Sequence, residues 1–215
     1  MGMFRIMVPF YSNTPDDLHC FQAALRSILK YFLPQKEFSW SKLDRLTGMN
    51  KDYWTWPGQA LISLHKMGFA IVDIDDFDIQ KFVKRGGRYL IEKYGKEVGE
   101  EQIKHGDLEK ERRIYNKYLK LNLHRKRIPH LSDIKRLSRQ GYLVVCLVNS
   151  AGLNGKKGYI GHFVVITGYD DKNIYLHDPG LPPRENRRVT YKKFLKAWAY
   201  PGEGSQNLTA FKYSK

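Results

Sequence analysis

From Cys20 onward the chain places Phe21, Ala24, Leu25, Ile28, Leu29 and Phe32 three and four residues apart, the spacing of an apolar helix face. Pro34 ends the run, because proline has no N–H to donate and restricts the residue before it. The stretch ahead, FRIMVPFYSNTPDD, reads as a short extended segment closing in a proline-containing turn, so the helix is predicted to begin near Cys20. SWSKLDRLTGM predicts a second short helix, with a serine at its start, Leu43 and Leu46 three apart and Gly48 past its last turn. WPGQALISLHKMGF predicts a third, with Pro57 near its first turn and Gly68 near its end.

AIVDIDDFD then alternates apolar and acidic residues as a half-buried strand does. DIQKFVKRGG and residues 88 to 121 are strongly charged and mostly helix-forming, and a helical insertion is expected over about residues 84–127 of a single domain, 1–215. IPHLSDIKRLSRQG predicts a small amphipathic helix, after which the texture changes to short apolar runs broken by turns: YLVVCLVNS, HFVVITGYD, NIYLHDP, RRVTY and LTAFKY. The Asp-Asp-Lys-Asn turn at 170 to 173 joins two of these runs as a hairpin. The expected fold class is α+β, with N-terminal helices and a mainly antiparallel sheet in the C-terminal half.

Composition narrows the class. At 215 residues with 42% hydrophobic and 13% aromatic content, the chain can bury a core without disulfide or metal staples. It lacks an apolar run near the roughly 20 residues a membrane helix needs, and MGMFRIMVPFYSNTPDD shows no apolar leader core, so a cytoplasmic protein is expected. Its oligomeric state is left open. The two cysteines, Cys20 among polar residues and Cys146 within YLVVCLV, do not form a disulfide framework. A formal charge of +15 attracts anionic partners or surfaces. Positive charge and tyrosines mix in KRGGRYLIEKYGK, EKERRIYNKYLK and HRKR, which could suit nucleic acid, but interspersed glutamates and the lack of a nucleic-acid motif favour a solvated helical face.

The start of an apolar helix is where a cysteine gains most as a nucleophile, since free backbone N–H groups and the helix dipole stabilise its thiolate. Such a thiolate needs an imidazole in reach, and the imidazole needs a partner that fixes its tautomer and stabilises its cation. His162 opens the strand HFVVITGYD and Asp178 closes NIYLHD, so the hairpin brings both to one edge of the sheet. Alone, each residue has an ordinary reading: an inert core thiol, a strand-end histidine, a turn-forming Asp before Pro179-Gly180. Together they outline a Cys-His-Asp triad. His177 falls on the other face of its strand and reads as structural. His65, His105, His124 and His130 lack cysteine or carboxylate partners at ligand intervals, so no metal or other cofactor is expected. Tyr53, Trp54 and Trp56 form an aromatic cluster suited to core packing or to a substrate groove.

VPFYSN, DDLHCFQAAL, GHFVVITGYDDKNIYLHDPG and TYKKFLKAW resemble successive signature blocks of the peptidase C39-like family. WPGQALISLHKMGF followed by IVDIDDFD is similar to the family's second conserved region, whereas residues 84 to 127 match none of its signatures. The resemblance implies a papain-like cysteine peptidase fold and carries the catalytic roles to Cys20, His162 and Asp178. Where the family has a glutamine before the cysteine, this chain has Asn13, so the implied oxyanion hole is Asn13 with the Cys20 N–H. His19 precedes the nucleophile and is either exposed or part of the site with the aromatic cluster. Phe21 follows it where many relatives have glycine, and narrows the site. The implied activity is peptide or amide hydrolysis through a thioester, on a peptide or acyl substrate. An acyltransferase using the same triad, an inactive binding module and a basic nucleic-acid binder are the alternatives.

Overall fold

The structure, a computed structural model, describes residues 2–51 and 53–213. Its elements run β1 (Phe4–Arg5), α1 (Cys20–Phe32), α2 (Trp40–Thr47), α3 (Gly58–Lys66), β2 (Phe69–Asp75), α4 (Ile79–Arg85), α5 (Gly87–His105) and α6 (Leu108–Tyr118). There follow β3 (His124–Lys126), α7 (Leu131–Arg139), β4 (Leu143–Asn149), α8 (Ser150–Leu153), β5 (Gly161–Tyr169), β6 (Asn173–Asp178), β7 (Arg184–Thr190), α9 (Tyr191–Trp198) and β8 (Asn207–Tyr213). Local chemistry sets the ends. The Ser39 side chain accepts from Lys42 N at the start of α2, and Gly48 closes that helix in the left-handed region at φ 63°.

The strands form one sheet in the order β3-β2-β8-β4-β5-β6-β7, with β1 beside β5. Every pairing is antiparallel except β2 with β3. The sheet therefore reaches beyond the C-terminal half in which it was expected. β8, last in sequence, sits between β2 and β4 and joins the early strands to the late ones.

Alternation along the strands divides the core between the two faces of the sheet. On one face, Phe69, Ile71, Leu143, Val145, Val165 and Phe211 pack with α1 and α3. On the other, Val72, Ile74, Val144, Cys146, Val164 and Leu208 pack with Ile134 and Leu137 of α7 and Phe194 and Trp198 of α9. The charged middle segment is woven into the first core. Tyr89, Leu90, Ile114, Tyr115 and Tyr118 belong to the same cluster as α1, and the Tyr118 hydroxyl donates to Asp73 of β2 at 2.6 Å.

Candidate active site

Cys20 is the first residue of α1. The helix's first internal bond runs from Ala23 N to His19 O at 2.8 Å, which leaves the N–H groups of Cys20, Phe21 and Gln22 at the open end of the helix. The loop ahead of it is organised by Asn13, whose carboxamide oxygen accepts from Thr14 N at 2.9 Å and His19 N at 2.8 Å. The Asn13 backbone N–H donates to Pro179 O at 2.8 Å, tying the cysteine loop to the residue after Asp178.

His162 and Asp178 stand on the adjacent strands β5 and β6. His162 Nε2 lies 2.8 Å from Asp178 Oδ1, and Cys20 lies within electrostatic reach of the same imidazole on the wall of one cavity. The three predicted triad residues thus meet, His162 between the other two. Burial pulls the imidazole down, but hydrogen bonds and charge from Asp178 and Cys20 more than reverse this and raise it to about 10. Asp178 is pushed up by burial yet held at about 2 by His162 and Arg187.

Arg187 of β7 was not anticipated as a site residue. Its Nη1 donates to Asp178 Oδ2 at 2.6 Å and its Nη2 to Leu153 O at 2.8 Å, so the carboxylate is fixed from the side away from His162. RRVTY signals only a strand, and no local feature separates Arg187 from Arg188. Gly180, also unanticipated, closes over the pair. A Cβ there would lie 3.1 Å from Asp178 Oδ1 and 3.2 Å from His162 Cε1, tighter than side chains ordinarily tolerate.

The other predicted residues divide. Trp54 and Trp56 line a cavity of about 630 Å³ together with Cys20, His162 and Asp178. Phe21 also lines it, but is only 2% exposed and tilts against Phe163 with ring centroids 4.5 Å apart, so its bulk builds the wall. Tyr53 and His19 do not line the cavity. His19 is half-buried rather than exposed, because Thr14 Oγ1 at 2.7 Å and Asp44 at 3.3 Å hold its two ring nitrogens. Asn13 departs from the oxyanion-hole expectation as well: its Nδ2 donates to Asp17 Oδ1 at 2.6 Å, and the short side chain is spent on the loop, outside the cavity lining.

Cys146 is fully buried on the opposite face of the sheet, where burial pushes its thiol up. His177 is buried and structural, hydrogen-bonded to Val8 O at 2.9 Å and Asn186 N at 3.1 Å. His124 does have carboxylate partners, contrary to its spacing in sequence: β3 pairs in parallel with β2 and brings it to Asp73 and Asp75. Among the described residues these three are the group whose ligand atoms lie close enough to hold a metal, all within 4.8 Å of one another.

A helix-borne cysteine facing a histidine and an aspartate on neighbouring strands is the layout of a papain-like cysteine peptidase fold. A family model described as Peptidase_C39 like family matches residues 59–195, and the chain belongs to that family. The matched span holds His162 and Asp178 and begins after Cys20. Among solved structures, a candidate C39-like peptidase from Bacillus anthracis is similar with TM-score 0.55 and 18% identity, covering 100% of both chains. A double glycine motif protease from an AMS/PCAT transporter, in complex with its leader peptide, gives TM-score 0.52 and 14% identity over 98% of this chain and 94% of that one. The peptidase domain of Streptococcus ComA, a bi-functional ABC transporter involved in quorum sensing, gives 0.50 and 14% over 95% and 98%. At these identities the likeness concerns the fold. No curated protein matches the chain. Among the described residues no helix is long and apolar enough to cross a membrane.

Proposed function

We propose that the protein is a papain-like cysteine hydrolase, a peptidase or amidase in which Cys20 is the nucleophile, His162 the base and Asp178 the residue that orients the imidazole. The observation carrying this reading is the buried His162, bonded to Asp178 and close to a cysteine at the open end of a helix, on the wall of a large cavity. His162 takes the Cys20 proton, and the raised imidazole retains it as the thiolate adds to the substrate carbonyl. The Cys20 N–H is placed to receive the oxyanion. Collapse breaks the C–N bond, the imidazolium protonates the leaving amine, and a thioester remains. Water, deprotonated by His162, then releases the acid and restores the thiol. An amine in place of water makes the same site an acyltransferase. A peptide suits the cavity in size, and a leader peptide is what one of the fold's neighbours binds.

A second reading, a binding module without turnover, is favoured by Asn13, whose amide donor is committed to Asp17. Iodoacetamide labelling of the folded protein against pH separates the two. Selective labelling of Cys20 over Cys146, with an apparent pKa below the free value of about 8.5 that rises in His162→Ala, is expected of the hydrolase. Ordinary or absent reactivity at Cys20 supports the binding module.

A further inference from the structure

The cavity that opens on Cys20 extends along the sheet to β2, where Asp73, Asp75 and Thr209 line it. We propose that this far end is a subsite for an organic cation, the ammonium or guanidinium of a basic residue in the peptide or amide substrate. The proposal deepens the hydrolase reading of Cys20 and rests on it for the word substrate.

Asp73 and Asp75 are two apart on β2, so both side chains project from one face of the strand. That face holds the first core, with Phe69 and Ile71, whereas Val72 and Ile74 point the other way. Both carboxylates are fixed. Asp73 accepts the hydroxyls of Tyr118 at 2.6 Å and Thr209 at 2.9 Å, while Asp75 Oδ1 accepts from Phe77 N at 2.9 Å and meets His124 Nε2 at 2.7 Å. Two carboxylates face one imidazole, so the pair carries negative charge even when His124 is protonated. Burial, and after it the neighbouring Asp75, raise Asp73 to about 6.

A second feature points to an occupant. Tyr115 is 7% exposed and lines the cavity, yet among the described residues its hydroxyl has no hydrogen-bond partner. The hydroxyl is therefore free to bond to whatever occupies the cavity. Trp54, Trp56 and Tyr94 supply aromatic walls nearby, surfaces that attract a desolvated cation. The rest of the lining mixes Lys156, Arg184 and Lys193 with Asp17 and the Asp178–Arg187 pair, so β2 is where a substrate cation meets two neighbouring carboxylates.

The sheet sets the span. β2 and β5 are separated by β8 and β4, three strand spacings or roughly 14 Å. About four extended residues cover that distance, and fewer when a lysine or arginine side chain makes part of the reach. A metal fits the same acids less well. His124 Nε2 is already bonded to Asp75 and could ligate a metal only by giving up that bond, whereas an ammonium group needs only lone pairs of the carboxylates.

The test uses the Cys20→Ala protein, which makes it independent of turnover. N-acetylated, C-amidated hexapeptides of glycine and alanine, each with one Lys, Arg, norleucine or Glu at successive positions, are titrated calorimetrically. At one or two positions the Lys and Arg peptides are expected to bind about tenfold tighter than norleucine, as charge-assisted hydrogen bonds give. Asp75→Asn is expected to cut that preference to about threefold or less. Equal affinity for Lys and norleucine at every position, or no binding by any peptide at millimolar concentration, overturns the proposal. So does a preference that survives in folded Asp75→Asn. Should that variant not fold by circular dichroism, the Lys and norleucine comparison on the unaltered subsite still decides, and Tyr115→Phe takes its place with the same expected loss. Zn2+ or Ca2+ binding that EDTA abolishes and Lys peptides do not displace marks a metal site and also overturns it. The cysteine labelling fails or succeeds separately: inert Cys20 with Lys selectivity removes the hydrolase and keeps the cation subsite, and reactive Cys20 without selectivity does the reverse.

Discussion

Asp178 holds His162 with one oxygen and Arg187 with the other, and this division of labour makes the site sensitive to pH. Raised to about 10, His162 favours its proton in the folded state. That contribution is complete below the unfolded value of about 6.5 and is lost as pH rises through about 10. Asp178, held near 2, acts in the opposite sense: its contribution is present above about 3.9 and is lost as pH falls through its folded value. Melting temperatures measured from pH 7 to 10 should therefore fall more steeply for the native protein than for His162→Gln. Parallel profiles would show that the folded imidazole titrates as an ordinary histidine. Three residues of this candidate site were legible from chemistry and order alone: a cysteine leading an apolar helix, and a histidine and aspartate at the ends of one hairpin. Asn13 and Arg187 were not. Hydrogen bonds that depend on how a loop folds back decide the first, and on which of two adjacent arginines faces inward the second.

At the scale of elements, helix starts, apolar faces and strand alternation carried most of the fold, because each is a local pattern. α2 begins after Ser39 and ends at Gly48, and β5 and β6 meet across the turn at 170 to 173. The sheet's membership was less legible. β3 is three residues, HRK, within a basic run, and nothing in those residues announces a parallel pairing with β2; its place comes from tertiary contacts. The same pairing brings His124 to Asp75, 49 residues away in sequence. β1 depends on one position of β5. Gly168 pairs with Arg5, and a Cβ at 168 would run into the Phe4 carbonyl oxygen. Gly168→Ala should detach β1, speed limited proteolysis ahead of Cys20 and lower the melting temperature by an amount typical of about 1–3 kcal/mol. Unchanged cleavage would show that the two strands can separate at that point without loosening the segment.

For the whole molecule the formal charge is +15, and its basic middle is partly neutralised by its own neighbours. Lys126 pairs with Asp78 at 2.5 Å, and Arg127 grips Asp133 with both terminal nitrogens at 2.7 and 2.8 Å. Retention on a polyanion column should therefore fall with salt and persist in Cys20→Ala. It should change little in the double variant Arg125→Gln, Lys126→Gln. A large drop in the eluting salt concentration for that variant would locate an anionic partner on this ridge. The aromatic helices of the middle segment, expected as an insertion, share the core beneath α1, so the charge they display and the fold they support belong to different faces of the same helices. The position of β8 has a further consequence. The acids on β2 and the histidine on β5 belong to parts of the sheet that, among the described residues, β8 alone joins. On a ribosome, where the chain emerges from its N-terminus, the cysteine, the histidine and the aspartate are all made before the strand that completes their sheet. The order of synthesis thus leaves Cys20 without a finished cleft until β8 has been translated.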